Sequence, residues 1–343
     1  MSSTALEGTT PANTGETVRL RYIEAIESAI SEEMDRDPSV FHMGQGISNG
    51  GFFGKKGGPT PIEKYGSKRV RDSGITETFM AGSAAGAAMV GMRPVIQMGF
   101  AGFTLIAGDE LYHKLGKWRY MHGGKFQLPA VIRLPGGHQD AAGPEHSNSY
   151  EVLGMHMPGL KVVVPGTAAD AKGLMKAAIR DDNPVLFHEV RSLNFTKGAV
   201  PTSPDFVVPI GVAEVVAPGD DVTIITYGHL RGESEKAAKA LAADGVSVEI
   251  IDLRSLMPLD YPTVFESVSK TGRALIVNEA HRTAGPASEI AVRIYEELYG
   301  SLKAPVVRLT APDVPAPQTL RLEALMRPTS EQIVDEARKL ARR

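Results

Sequence analysis

Glu77 leads into the run TFMAGSAAGAAMVGM, Thr78 to Met92, fifteen residues without a charge and composed mostly of Ala, Gly and Met. A carboxylate beside such a run is expected to be partly desolvated, and desolvation makes its charged form expensive. That is the setting in which a carboxyl group can work as an acid or base rather than as a solvated charge. A second reading stays open, because a Glu in the first turn of a helix complements the helix dipole without any catalytic duty. His146 stands between Glu145 and Ser147 in the long stretch GGHQDAAGPEHSNSYEVLG (136–154). An imidazole there can give and take a proton, or it can be a solvated loop residue. His138, Asp140, Glu145 and His146 are all types that bind metals, but their spacing matches no zinc pattern. The dinucleotide fingerprint and the P-loop are both absent. AGSAAG (81–86) has the wrong spacing for a nucleophile elbow, so Ser83 reads as a small packing residue.

The elements that must position these residues follow from periodicity. Leu20, Ile23, Ile26, Ile30 and Met34 recur at spacings of three and four, predicting a helix from near Thr17. SVFHMG (39–44), RPVIQMGF (93–100), LPAVIRLP (128–135), LKVVVP (160–165) and NPVLFHEV (183–190) read as strands. Helices are predicted over 79–91, 104–120 and 168–180, and RVRDSGI as a strand or turn. Residues 45–61 form a glycine-rich loop. Residues 191–219, rich in Pro, Gly and Ser, read as irregular. A second alternation follows, with strands at 221–228, 246–253, 273–280 and 304–310. Helices lie between them near 232–243, 261–269 and 285–299, and a last helix starts at Thr329-Ser330. Strands alternating with helices predict an α/β fold of two mainly parallel sheets, each covered on both faces. The division is 1–16 as a disordered leader, 17–200 as a first α/β domain, 201–219 as a linker and 220–343 as a second.

With 343 residues, the chain is long enough for two ordinary domains. A formal charge of -3 gives no reason to expect nucleic acid or an anionic membrane as partner. No stretch is long and apolar enough to be read as a transmembrane helix. The start, MSSTALEGTTPANTGE, lacks the basic and apolar parts of a secretory signal. The absence of cysteine excludes disulfides and thiolate metal sites, and fits a reducing, cytoplasmic setting.

Several separate segments resemble one family in the right order: GITETFMAGSAAGAAMVGMRPVIQM, KWRYMHGG, PEHSNS, PGLKVVVP, DAKGLMKAAIRDDNPVLFHE, VVPIGVAEVV, DLRSLMPLD, KTGRALIVNEA and APDVPAP. The chain is similar, from about residue 17 to its end, to beta subunits of the thiamine-diphosphate-dependent decarboxylase of 2-oxo acid dehydrogenase complexes, of the pyruvate, branched-chain and acetoin types. The resemblance implies a transketolase-like pyrimidine-binding domain followed by a transketolase C-terminal domain. It aligns Glu77 with the glutamate that faces the cofactor's aminopyrimidine. A carboxyl group bonded to the ring nitrogen favours the imino tautomer, which can take the proton from the thiazolium carbon. It aligns His146 with a histidine that positions and protonates the incoming lipoyl group, worth on the order of 10²–10⁴ in rate. It aligns Phe103 with an aromatic platform for the pyrimidine, and Gly99 with a position that carries a larger side chain against the cofactor. Ala130, Ala178, Asp181 and Asn183 align with a structural monovalent-cation (K+) site built mainly of carbonyls.

The same resemblance carries partners. No Gly-Asp-Gly segment followed by Asn in the right context is present. GDE (108–110) and GDD (219–221) lack that context. The chain is therefore expected to hold only the pyrimidine half of thiamine diphosphate. Mg2+ and the diphosphate would sit on an alpha subunit in an α2β2 heterotetramer, and a lipoyl acyltransferase core would be the next partner. The expected reaction is oxidative decarboxylation of a 2-oxo acid, or acetoin cleavage, with acyl transfer to a lipoyl group. The C-terminal half of a split transketolase and a non-catalytic scaffold for an alpha chain are the alternatives. Gln45 replaces a frequent acid, and His138 and Asp140 depart from the usual Ala-rich loop, so the 2-oxo acid stays open.

Overall fold

The computed structural model describes residues 15–50 and 59–342. Nearly all of the expected leader and half of the glycine-rich loop lie outside the described residues. In chain order the first half contains β1 (Thr17–Arg21), α1 (Tyr22–Arg36), β2 (Val40–Gly44), α2 (Pro61–Tyr65), β3 (Val70–Asp72), α3 (Glu77–Met89) and β4 (Arg93–Gln97). It continues with α4 (Gly116–Met121), β5 (Val131–Gly136), α5 (Glu151–His156), β6 (Lys161–Val163), α6 (Ala168–Arg180), β7 (Val185–Val190) and β8 (Lys197–Pro201). The second half contains β9 (Glu214–Ala217), β10 (Val222–Thr226), α7 (Leu230–Ala243), β11 (Val248–Asp252), β12 (Ser255–Met257), α8 (Tyr261–Thr271) and β13 (Ala274–His281). It ends with α9 (Pro286–Leu298), β14 (Val307–Ala311), α10 (Leu320–Glu323) and α11 (Ser330–Ala341).

The first sheet runs β12-β6-β7-β5-β4-β2-β3. All its pairings are parallel except β12 against β6. The second runs β14-β13-β10-β11-β9, parallel except for β9 on β11. The strands β2, β7, β10 and β11 are buried along their whole length, as expected for sheets covered by helices on both faces. Helices α1 and α6 cover one face of the first sheet, burying Ile26, Ile30, Leu174 and Met175. Helix α3 covers the other face with Met80, Ala81, Ala84, Ala85 and Ala88.

Three predicted elements differ. Residues 17–21 form a strand, paired antiparallel with β8, and the helix begins at Tyr22. The apolar spacing that includes Leu20 is satisfied by pairing across nearly 180 residues of chain, which local periodicity cannot register. The stretch read as one helix over 104–120 is a 3₁₀ turn (Ala101–Leu105), a π-helical segment (Asp109–Leu115) and then α4. Residues 191–219 are not wholly irregular, since they contain β8 and β9.

The two halves do not stand apart. β12, from the second half, extends the first sheet, and one apolar core runs from Met80 and Ile132 to Ile225, Ile276 and Ile290. Charges also cross the seam. Arg254 Nη1 lies 3.2 Å from Asp170 Oδ1, and Arg231 Nη1 contacts Glu214 at 2.7 Å, Asp252 at 3.3 Å and Asp170 at 3.5 Å. Burial, reinforced by Asp170, pushes Asp252 up to about 7 in spite of the arginines. Carboxylate oxygens of Asp170, Glu214 and Asp252 fall within 4.8 Å of one another. The two guanidinium groups already occupy that space, so the cluster is an ion-pair lock between domains and not a metal centre.

Candidate active site

In open parallel sheets ligands bind outside the carboxyl ends of the strands. The candidates for catalysis and for the cofactor's pyrimidine collect at that edge. Gln45 follows β2, Glu77 opens α3 after β3, Gly99 and Phe103 follow β4, and His146 lies in the loop after β5. Arg191 follows β7 and joins them.

Glu77 is the first residue of α3, and its side chain is 3% exposed, although Ile75, Thr76, Thr78 and Phe79 around it are all exposed. Its Oε1 is buried and has no hydrogen-bond partner. A buried carboxyl oxygen left without a donor is costly, so its position at this edge calls for an explanation. The desolvation expected from the run that follows Glu77 is therefore present, but its cause is only partly the one anticipated. One face of α3 packs inward, whereas a Cβ added at Gly86 would meet nothing within 4 Å and Val90 is 80% exposed. The open face therefore lies toward the far end of α3 and not at the acid.

His146 sits in an aromatic corner. Its ring meets Phe100 edge-on at 4.6 Å and Phe103 edge-on at 5.6 Å, and Phe100 and Phe103 are themselves T-shaped at 6.0 Å. The structure thus brings Phe103 and His146 together, an arrangement favoured by the ring quadrupoles. Arg191 closes the corner. Its guanidinium lies 5.0 Å from the Phe100 ring centroid, donates to the His146 carbonyl at 3.0 Å and approaches Asp140 at 3.5 Å. Arg191 and Phe100 escaped the sequence reading. The available signal was a charge directly after the buried strand NPVLFHEV, at the carboxyl edge of a parallel sheet.

Gly99 is explained by Gln45. A Cβ at 99 would stand 3.3 Å from Gln45 Oε1, so the small residue leaves room for the Gln45 amide. His138 is not a solvated loop residue. It is 2% exposed, its Nδ1 lacks a partner, and burial lowers its proton affinity. Asp140 by contrast is largely exposed. The four loop residues considered for metal binding do not converge, since the carboxylate trio at the domain seam is the one metal-capable group found among the described residues.

Ala130, Ala178, Asp181 and Asn183 do come together where α6 ends and β7 begins. The carbonyls of Ala130 and Ala178 already accept from Val185 and Asp181. Lys161 pairs with the Asp181 carboxylate, Arg119 donates to Asn183 Oδ1, and Arg93 donates to the Asp181 carbonyl at 3.0 Å. Three cationic side chains converge where the resemblance implies a cation. Two of the three are paired with carboxylates, Lys161 with Asp181 and Arg93 with Asp182 at 2.7 Å.

A parallel α/β domain with an orphaned acid at its carboxyl edge, locked onto a second parallel α/β domain, defines a transketolase-type protein. The family models agree: the transketolase pyrimidine binding domain matches residues 19–195 and the transketolase C-terminal domain matches 211–333. The chain is 41% identical to the pyruvate dehydrogenase E1 component subunit beta of Rhizobium meliloti, over 95% of this chain and 70% of that one. It is 42% identical to the 2-oxoisovalerate dehydrogenase subunit beta of Bacillus subtilis, covering 87% and 90% respectively. Identity to the acetoin:2,6-dichlorophenolindophenol oxidoreductase subunit beta of Cupriavidus necator is 40%, covering 92% and 95%. A split gene transketolase, described as an inactive beta4 tetramer, superposes with a TM-score of 0.75 at 25% identity, over 94% of this chain and 98% of that one. The chain belongs to the family of thiamine-diphosphate-dependent 2-oxo acid dehydrogenase E1 beta subunits. Among the described residues no helix is long and apolar enough to cross a membrane.

Proposed function

We propose that this chain is the beta half of an α2β2 enzyme that decarboxylates a 2-oxo acid, or cleaves acetoin, and passes the acyl group to a lipoyl group on an acyltransferase core. The observation that carries the reading is the buried, unpartnered Glu77 Oε1 at the carboxyl edge of the first sheet. Bound there, thiamine diphosphate would supply the carbon nucleophile and the electron sink for decarboxylation. The residues fit its pyrimidine end: an orphaned carboxyl oxygen for a ring nitrogen, and the half-buried Phe103 as an apolar wall.

Within this reading Glu77 would hold a proton at its buried Oε1 for exchange with the pyrimidine nitrogen, where burial keeps water away. Phe103 and Gly99 shape the wall of the pyrimidine site. His146 gives a proton to the lipoyl sulfur during acyl transfer, held by Arg191 and the Phe100 ring. The diphosphate and Mg2+ fall to the alpha subunit. Support for that partner comes from the surface around Glu77, where Ile75, Phe79, Leu105 and Ile106 are each more than 60% exposed. Apolar side chains clustered on one face mark an interaction site.

The test is the chain assembled with its alpha partner and offered pyruvate, branched-chain 2-oxo acids, acetoin and sugar phosphates. Glu77→Ala is expected to leave the assembly intact and remove most turnover. Unchanged turnover would favour a scaffold, and ketol transfer between sugar phosphates would favour the transketolase branch. Tight binding of thiamine diphosphate and Mg2+ by the chain alone would overturn the half-site assignment.

A further inference from the structure

The loop that carries His146 has an unusual backbone. Gly137, Asp140, Ala141 and Gly143 all have positive φ, and Ala141, at +50°, has no glycine-like freedom and no polar side chain to compensate. Strain of this kind persists only where the surroundings over-determine the conformation. Here the surroundings belong to the other domain. The Ala141 N–H donates to Glu323 Oε2 at 2.9 Å, across 182 residues of chain. Glu323 is 2% exposed, it ends the short helix α10, and its Oε1 is buried without a partner. The Gln318 side chain lies against Gly143, where an added Cβ would stand 2.6 Å from its Cγ. Glu279, from β13, abuts Gly137 in the same way at 2.7 Å. Within the loop, Asp140 and the His146 carbonyl are tied to one side chain, Arg191.

We propose that Glu323 is a positioning residue for His146: by accepting the Ala141 N–H it holds the strained turn that sets where the imidazole stands, so the C-terminal domain shapes the acyl-transfer site. This inference rests on the role given to His146 above. Glu323 is assigned no contact with substrate or cofactor. Its effect travels through residues 141–146, and it should bear on acyl transfer more than on decarboxylation.

The experiment uses the enzyme assembled with its alpha partner, comparing Glu323→Ala and Glu323→Gln with the wild type. Three readouts are taken: amide hydrogen exchange over 137–149, dye-coupled decarboxylation, and acyl transfer to free lipoamide. In Glu323→Ala, loop exchange should quicken by about tenfold or more as the local opening equilibrium shifts. Acyl transfer should fall by about 10–100-fold, the cost of a misplaced group, while dye-coupled turnover stays within about threefold. Glu323→Gln keeps a carbonyl acceptor in the same place and should restore both. If the alanine variant fails to assemble, Glu323→Asp takes its place, withdrawing the acceptor while keeping the charge. Loop exchange equal to wild type, or a loosened loop with undiminished acyl transfer, overturns the proposal. A wild-type enzyme inert in acyl transfer would instead defeat the functional reading, whereas the exchange comparison alone decides whether Glu323 holds the loop.

Discussion

Replacing Glu77 with leucine should make the isolated chain more stable while destroying its activity. The carboxyl is 3% exposed and its Oε1 has no partner. An unsatisfied buried polar group costs about 1–3 kcal/mol, and Glu77→Leu removes that cost at similar volume. Against this stands the loss of a favourable charge in the first turn of α3, about 0.3–1 kcal/mol. The net expectation is a gain of about 0.5–2 kcal/mol, a rise of a few degrees in midpoint for a chain this long. Glu77→Gln, which keeps polar atoms in place, should stay near wild type in stability. Both variants, assembled with the alpha partner, should lose about 10²–10⁴ in decarboxylation rate if the acid takes part in proton exchange. Thermal and urea unfolding of the chain, with dye-coupled turnover of the assembled enzyme, read the two effects separately. A leucine variant less stable than wild type would mean that the carboxyl is already bonded within the fold and is not held for an incoming group. A glutamine variant with full activity would remove its role as an acid.

Two further outcomes follow from the geometry. Gly159 has φ +97°, and an added Cβ would collide with the Gly116 carbonyl oxygen. Because that clash is with backbone at the start of α4, Gly159→Ala should cost about 3 kcal/mol in urea unfolding, and a loss under about 1 kcal/mol would contradict it. Glu151, buried at the start of α5, is pushed up to about 8 by desolvation and by repulsion from Glu279. Between roughly pH 4.5 and 8 the folded chain keeps a proton that the unfolded chain has lost, so stability falls as pH rises, by on the order of 5 kcal/mol. Glu151→Gln should flatten that decline between about pH 5 and 8 in urea midpoints, and an unaltered slope would show that Glu151 ionises normally.

Much of the site was readable because its signals are local. The uncharged run beside Glu77 is contiguous, and His146 stands in a long aperiodic stretch between two buried strands. The parallel sheets were readable for the same reason, since unbroken apolar strands such as VTIIT and VLFHEV leave no polar face to place in water. What escaped is long-range. β1 pairs with β8, and Leu20 lies beside Gly198 in register, a contact invisible to helical periodicity. Arg191 became part of the site only when β7 settled beside β5. His138 looks the same in sequence as Asp140, yet one is buried against the second domain and the other faces solvent.

Residue types and their short spacings decided that this chain would make two covered parallel sheets and carry an acid and an imidazole near their carboxyl ends. That much follows from hydrophobic burial and backbone geometry acting over neighbouring residues. Only the assembled fold decided that β12 would complete the first sheet, that one core would run through both domains, and that Glu323 would reach the loop of His146. Such contacts join positions far apart in the chain. Which pairs meet is settled by how whole surfaces pack, and not by the properties of either segment alone.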